Sequence, residues 1–180
     1  LTSNLRTDTD GRTTFTGLIH NRGIGYAREY LIHFVDHFEP RFLFVRGDGN
    51  PKFSIQDTGQ LLIVSAPFLV LGIYALFSQH TRISWLLLWW LLVAVAPAAV
   101  ARETPHALRT ENALPVWLIF TAYGAVWVVT EFFKHKMMRI ITGIFVMLFI
   151  ANFAYFWHTL TSHYPREYSG EWQYGYSNAI

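Results

Sequence analysis

Four long apolar stretches constrain the fold of this chain more than any other feature. They contain no Asp, Glu, Lys or Arg and cover residues 61–77, 83–101, 113–130 and 140–157. A helix needs about 17–25 predominantly apolar residues to cross a bilayer, and it satisfies its own backbone hydrogen bonds, as the lipid interior requires. The sequence therefore predicts an all-α membrane protein with four transmembrane helices.

Charged residues are concentrated outside these stretches. They make up 14% of the 180 residues, against about 25% in an average soluble domain. We therefore predict an external N-terminal segment, a four-span region and an external C-terminal segment, covering residues 1–60, 61–157 and 158–180. The net charge of +2, without a long basic stripe, argues against nucleic acid binding. Since there is no cysteine, disulfides, thiolate zinc sites and a cysteine nucleophile are excluded.

The beginning of the chain does not look like the beginning of a membrane protein. It starts at Leu1 and shows no signal peptide with a charged start and a short apolar core. We interpret the chain as part of a longer polypeptide, in which the charged and hydroxylated residues 1–16 form an internal loop.

Basic residues in the gaps between the spans predict the orientation in the membrane. The gaps at 78–84 and 131–139 share one side and hold Arg82, Lys134, Lys136 and Arg139. The opposite side holds Arg102, Arg109 and Arg166. Because cytoplasmic loops carry an excess of Lys and Arg, the first side is predicted to be cytoplasmic. Residues 1–60, 102–112 and 158–180 are then external.

A helical pattern precedes the first span, at residues 24–38. Its apolar side chains recur with the spacing of one helical face, at Ile24, Ala27, Leu31, Phe34, Val35 and Phe38. With a membrane directly downstream, this pattern predicts an amphipathic helix lying in the interface plane. The alternative is an amphipathic helix packed on a soluble domain.

The segment 102–109 is the strongest candidate for a binding site. It places Arg102, Glu103, His106 and Arg109 between two spans at the membrane surface. Arginine makes planar, bidentate contacts with phosphate, and histidine donates a hydrogen bond or transfers a proton near neutral pH. These residues therefore predict a contact with a lipid phosphate. The alternative is that they are ordinary interfacial anchors.

Two further groups of polar residues precede the spans. Asp48 and Asn50 lie in a loop that lacks the repeated carboxylates of a calcium loop, so we expect polar contacts to a substrate or to another loop. His33 and His37 share a helical face, as a metal site needs, but no third ligand has a definite spacing. We therefore predict ordinary solvated histidines and no metal site.

Small and polar residues inside the spans predict helix packing rather than chemistry. Asn152 and Thr142 lie in the last span and are expected to form interhelical hydrogen bonds. Gly72, Gly124 and Gly143 are expected to allow close helix approach.

Several segments together resemble a known family. They are residues 26–31 (YAREYL), 37–50 (HFEPRFLFVRGDGN) and 102–109 (RETPHALR), followed by Tyr164-Pro165 and Trp172-Gln173-Tyr174-Gly175. In this order they resemble the bacterial multi-spanning glycosyltransferases related to dolichyl-phosphate-mannose–protein mannosyltransferases (family 39, GT-C fold). The resemblance covers nearly the whole chain. It departs at Lys52-Phe53-Ser54, where relatives commonly have Arg-His-Ser.

The resemblance implies an inner-membrane enzyme that transfers a sugar from a polyprenyl-phosphate carrier to a glycan, lipid or protein acceptor on the outer face. Arg102, Glu103, His106, Arg109, Asp48 and Asn50 would bind the substrate. The acidic base of the family would lie outside this chain, in the remainder of the same polypeptide, so the chain alone would be inactive. No tightly bound cofactor is implied, although some members hold a divalent cation.

The competing interpretation is a non-enzymatic membrane protein, either a scaffold or a transporter subunit. A transporter would have a polar stripe or broken helices at the membrane midplane, whereas the spans here carry no charge at their centres. A scaffold would be insensitive to changes of the external Arg and His side chains.

Overall fold

The protein is described by a computed structural model that covers residues 22–79, 81–132 and 136–172. Within these ranges all regular secondary structure is helical. The predicted loop at 1–16, the basic residue Lys134 and the residues 173–175 of the C-terminal motif lie outside the described residues.

Six α-helices form the described part of the chain: α1 (Arg22–Asp36), α2 (Ala66–Ser78), α3 (Arg82–Val95), α4 (Leu114–Phe132), α5 (Lys136–His158) and α6 (Tyr164–Glu167). Four short 3-10 helices lie at Ile63–Ser65, Ala98–Val100, Leu108–Ala113 and Ser169–Trp172. Two π-helical turns lie at Arg41–Val45 and Thr159–His163.

Three helical segments of the described residues are long and apolar enough to cross a membrane. They are Arg82–Val100, Leu108–Glu131 and Lys136–Glu167, with 19, 24 and 32 residues. The first predicted span forms the shorter apolar helix Ile63–Ser78. It begins late because Leu62 is extended and the Leu61 N–H donates to the carbonyl oxygen of Leu43 at 2.7 Å. The all-helical prediction is thus confirmed, with three helices of full spanning length.

The helix α2 packs closely against α4, through two glycines. A side chain at Gly72 would collide with the carbonyl oxygen of Phe120, and one at Gly124 with that of Phe68. The predicted close approach is therefore confirmed at these two positions. It is wrong at Gly143, which is exposed and has no described neighbouring atom within 4 Å of an added Cβ.

The helix α5 lies against this pair with much less contact, and none of its residues is buried. The Asn152 side-chain oxygen accepts a hydrogen bond from the Val64 N–H at 3.4 Å, which confirms the predicted interhelical bond. The rings of Phe68 and Phe145 meet with centroids 5.1 Å apart. For Thr142 the interhelical bond stays a prediction.

Successive helices from α2 to α5 run in opposite directions, so the connections between them lie at two ends of the bundle. Residues 78, 79, 81, 82, 132 and 136 lie at one end, where the Ser84 hydroxyl donates to the carbonyl oxygen of Leu76 at 2.6 Å and joins α2 to α3. The loop 40–62, the connection 96–113 and residues 159–172 lie at the other, which we call the loop-bearing end. There Tyr164 donates to the carbonyl oxygen of Pro51 at 2.6 Å.

Candidate functional site

The candidate site lies at the loop-bearing end, where the loop 46–60 meets the connection 101–113. Asp48, 5% exposed, joins the two. One of its carboxylate oxygens accepts the N–H of Ala107 at 2.7 Å, and the other accepts the N–H of Asn50 at 2.8 Å. A hydrogen bond to a charged acceptor contributes about 1.5–3 kcal/mol, so this carboxylate fixes the relative position of the loops.

The backbone around Asp48 folds because its neighbours close the loop on itself. Gly47 has a φ of +69°, which favours glycine, and a side chain there would strike the hydroxyl of Ser54. The Asn50 side-chain oxygen accepts the N–H of Lys52 at 3.0 Å, and the Gln56 amide donates to the Asp48 carbonyl at 2.8 Å. The loop is thus organised by its own polar groups, and the expected contact with another loop is observed.

His37 is a buried part of the same site, 1% exposed. Its Nδ1 lies 2.8 Å from the carbonyl oxygen of His33, and its Nε2 accepts the backbone N–H of His106 at 3.1 Å. Because a carbonyl needs a donor and an N–H needs an acceptor, the proton belongs on Nδ1. Desolvation by burial lowers the pKa of His37, which favours this neutral form. The prediction of a solvated histidine is therefore wrong for His37.

His106 points into the protein beside Asp48. Its ring lies against that of Phe53, with centroids 4.9 Å apart and an interplanar angle of 32°. The Nδ1 atom is buried without a hydrogen-bond partner among the described residues, 3.7 Å from an Asp48 carboxylate oxygen. Packing therefore sets the orientation of this imidazole, and the predicted hydrogen bond to a substrate phosphate stays a prediction.

The end of α1 is tied to the same connection. Thr104 donates from its hydroxyl to a carboxylate oxygen of Asp36 at 2.8 Å. Further back on α1, the Tyr30 hydroxyl donates to the Ala96 carbonyl at 3.2 Å, and the His33 Nδ1 lies 3.3 Å from the Ala99 carbonyl.

In the described part of the chain no group of three or more His, Asp and Glu side chains is arranged to hold a metal ion.

The predicted phosphate-binding arginines are exposed. Arg102 and Glu103 line a shallow depression of 500 Å³ together with Asp48 and Asn50. Arg109 lies outside this depression, in the 3-10 helix Leu108–Ala113. The structure thus brings four of the six predicted residues together at one surface, leaves His106 packed beneath it and places Arg109 apart.

A second, smaller cavity lies between the loop 40–60 and the ends of α3 and α4 at the loop-bearing end. It measures 290 Å³, and its lining includes Lys52, Phe53, Gln60, Glu111 and Trp117. This cavity could not be predicted from the sequence, because its polar residues are separated along the chain and belong to no spaced motif. A Trp near the start of a span and a Glu just before it are ordinary features of membrane helices.

Comparison with known proteins finds no match to this chain among protein-family models, curated proteins or solved structures. Fold and site together define an all-helical protein in which three described helices are long and apolar enough to span a membrane, with a polar site built from loops at one end of them.

Proposed function

We propose that this chain forms part of a membrane glycosyltransferase, which transfers a sugar from a polyprenyl-phosphate carrier to an acceptor on the outer face. One observation supports this most strongly. Asp48 joins the two loops that carry the family resemblance, so that the Arg102 guanidinium and the Asn50 amide lie at one depression. This polar surface lies at the ends of helices that are long enough to span a bilayer, where a lipid phosphate would be located.

In the proposed reaction, the bond between the sugar's anomeric carbon and the carrier phosphate breaks. A bond forms from that carbon to an acceptor oxygen, whose proton passes to an acidic base outside this chain. The phosphate leaves with an additional negative charge. Arg102 would bind that charge bidentately, and Arg109 would supply a second cation from the 3-10 helix Leu108–Ala113, outside the depression. Fixed cations of this kind lower the barrier.

The proposed placement in the membrane follows from the exposed apolar surfaces. Besides the three long segments, Ile63–Ser78 would also span the membrane, as the first span in chain order. A helix of this length is accommodated by local thinning of the bilayer. The helix α1 would lie in the interface plane, since its residues Ile24, Leu31 and Val35 are exposed while Phe34, and Phe38 just after the helix, pack on the core. We place the loop-bearing end outside the cell membrane and residues 78–82 and 132–136 in the cytoplasm.

The experiment is sugar transfer from a polyprenyl-phosphate-linked donor by the natural polypeptide in membranes. Removal of one charge-stabilising donor typically costs about 10²–10³ in rate, so Arg102→Ala and Arg109→Ala are each expected to lower kcat by about 10². Arg166→Ala is the matched control, an exposed arginine beyond the site. Near-normal transfer by both variants at normal expression would contradict the phosphate role, and absence of transfer by the wild type would favour a scaffold.

A further inference from the structure

The 290 Å³ cavity beside the Arg102 depression combines an apolar floor with a polar rim. Trp117 and Phe42 form part of the floor, and both are buried. The Trp117 ring is held in place by an edge-on contact with Phe38, with centroids 5.8 Å apart. The rim carries the Lys52 ammonium, the Gln60 amide and the Glu111 carboxylate. One side of a bound molecule would therefore meet carbon and the other would meet hydrogen-bonding groups.

The polar groups at this rim are free to bind a ligand. Neither the Gln60 amide nor the Glu111 carboxylate forms a hydrogen bond or an ion pair with any described residue. The Lys52 ammonium lies 3.7 Å from a Glu171 oxygen, and both side chains are about half exposed, so this pair is weak. An ammonium, an amide and a carboxylate together supply donors and acceptors.

Charge and size narrow the class of ligand. The positive charge of the Lys52 ammonium and the negative charge of the Glu111 carboxylate cancel, and His37 in the wall is held neutral by its hydrogen bonds. An anion would therefore gain little electrostatic attraction in this cavity. A lipid tail would desolvate the rim groups without replacing their hydrogen bonds, which is costly. The volume of 290 Å³ lies at the lower limit of about 300–1,000 Å³ for ligand pockets, which is too small for a peptide.

From these observations we infer that the cavity binds one neutral pyranose ring, with its carbon–hydrogen face on the aromatic floor and its hydroxyl groups at Gln60, Glu111 and Lys52. This inference rests on the proposed function for the origin of the sugar, which is either the donor or a glycan acceptor. The cavity and the Arg102 depression share the connection 101–113, since Ala107 lines the first and Pro105 the second. A sugar here would thus be a neighbour of the carrier phosphate.

Direct binding tests the inference independently of catalysis. The probes are methyl α-mannopyranoside and methyl α-glucopyranoside, titrated into the natural polypeptide in detergent micelles and followed by saturation-transfer NMR. Loss of one hydrogen bond of about 1.4 kcal/mol corresponds to tenfold in affinity. We expect Glu111→Gln and Gln60→Leu each to raise the Kd of at least one pyranoside about tenfold, with Glu29→Gln, an exposed carboxylate on α1, within twofold of the wild type.

The result that overturns the inference is a pyranoside signal that both variants retain unchanged, or no pyranoside signal in the wild type. Displacement of the pyranoside by inorganic phosphate would also overturn it, because the cavity would then be an anion site. Thermal unfolding of each variant in the same micelles must match the wild type, and Gln60→Asn replaces Gln60→Leu if the latter unfolds early.

Transfer kinetics then identify the source of the sugar. A higher KM for the lipid-linked donor in Glu111→Gln assigns the cavity to the donor sugar, and a higher KM for a glycan acceptor assigns it to the acceptor. If transfer is present and both KM values are unchanged, the cavity has no part in the reaction. If the wild type transfers no sugar but loses pyranoside binding in the variants, the proposed function fails and the binding site stands.

Discussion

The helices α4 and α5 are similarly apolar and differ sharply in how they pack. Both belong to segments long enough to span a membrane, and the most apolar 18-residue windows of Leu108–Glu131 and Lys136–Glu167 have mean hydropathies of 1.7 and 2.0. In the most apolar window of the first segment 28% of the residues are buried, whereas in that of the second none is. Apolarity therefore makes a helix compatible with lipid, while packing depends on small residues at matching positions.

The largest expected effect is on the α2–α4 contact. Gly72→Leu should separate the helices, because its side chain would meet the backbone of Phe120 and Gly124. Overpacking costs about 1–3 kcal/mol and occasionally more, and we expect about 3 kcal/mol here. Thermal unfolding in detergent measures the loss. The matched control is Gly143→Leu on α5, and an equal loss in the two variants would remove the difference between the helices.

The next effect concerns the loop-bearing end, which α4 supports. Asp48→Ala leaves the Ala107 N–H without its acceptor, and we expect a loss of about 2 kcal/mol in the free energy of unfolding. Asp57→Ala, an exposed carboxylate in the same loop, should change stability by less than about 0.5 kcal/mol. Denaturation in micelles compares the two, and similar values would show that Asp48 does not fix the loops.

A pH dependence of stability should arise from His37. Burial lowers the pKa of its imidazole in the folded protein, so as pH falls below about 6.5 the unfolded chain takes up a proton first. Stability is thus complete above this pH and declines below it. The facing groups are Asp36 and Asp48, which oppose the shift, and His106, which adds to it.

Unfolding temperatures between pH 7.5 and 5 check this expectation. The wild type should lose stability over this range, and His37→Gln should lose less, since glutamine does not titrate. His163→Gln is the matched control, because that side chain is exposed on the segment after α5. Equal pH profiles for the wild type and His37→Gln would contradict the assignment.

The smallest expected effect concerns α5. Asn152→Leu removes its hydrogen bond with the Val64 N–H, and interhelical bonds in membranes average about 0.6 kcal/mol. Cysteine cross-linking between α2 and α5, or unfolding in micelles, measures the change against Val146→Leu. A decrease of more than about 2 kcal/mol in the free energy of unfolding would show that this bond holds α5 in place more strongly than the exposure of α5 suggests.

The sequence predicted the helices well because lipid imposes a strong compositional requirement. The absence of charge located the four apolar helices to within a few residues, and the pattern at 24–38 coincides with the helix α1 at Arg22–Asp36. It did not reveal that Gly72 faces a neighbouring helix closely, whereas Gly143 meets no atom of the described residues within 4 Å of an added Cβ. A glycine permits close approach on any helix, and which helix faces it depends on tertiary packing.

The candidate site was predicted only in part, for a physical reason. Asp48 and Ala107 are 59 residues apart, and His37 and His106 are 69 apart. In each contact the donor is a backbone N–H, which every residue except proline carries. The identity of the donor residue therefore does not reveal the contact in the sequence. Arg102 and Asn50 were recognisable because their side chains are polar and exposed, whereas the contacts that bring them together have no sequence signature.

The way Asp48 bonds has a consequence for how this surface can change in evolution. Both of its oxygens accept backbone N–H groups, those of Asn50 and Ala107, so neither bond depends on the side chain that these two residues carry. An added side chain at Gly49 would meet no described atom within 4 Å. Substitutions there alter what the depression presents to a ligand while the main-chain frame persists. Chains of this fold can therefore differ in the side chains that line the depression around a constant aspartate.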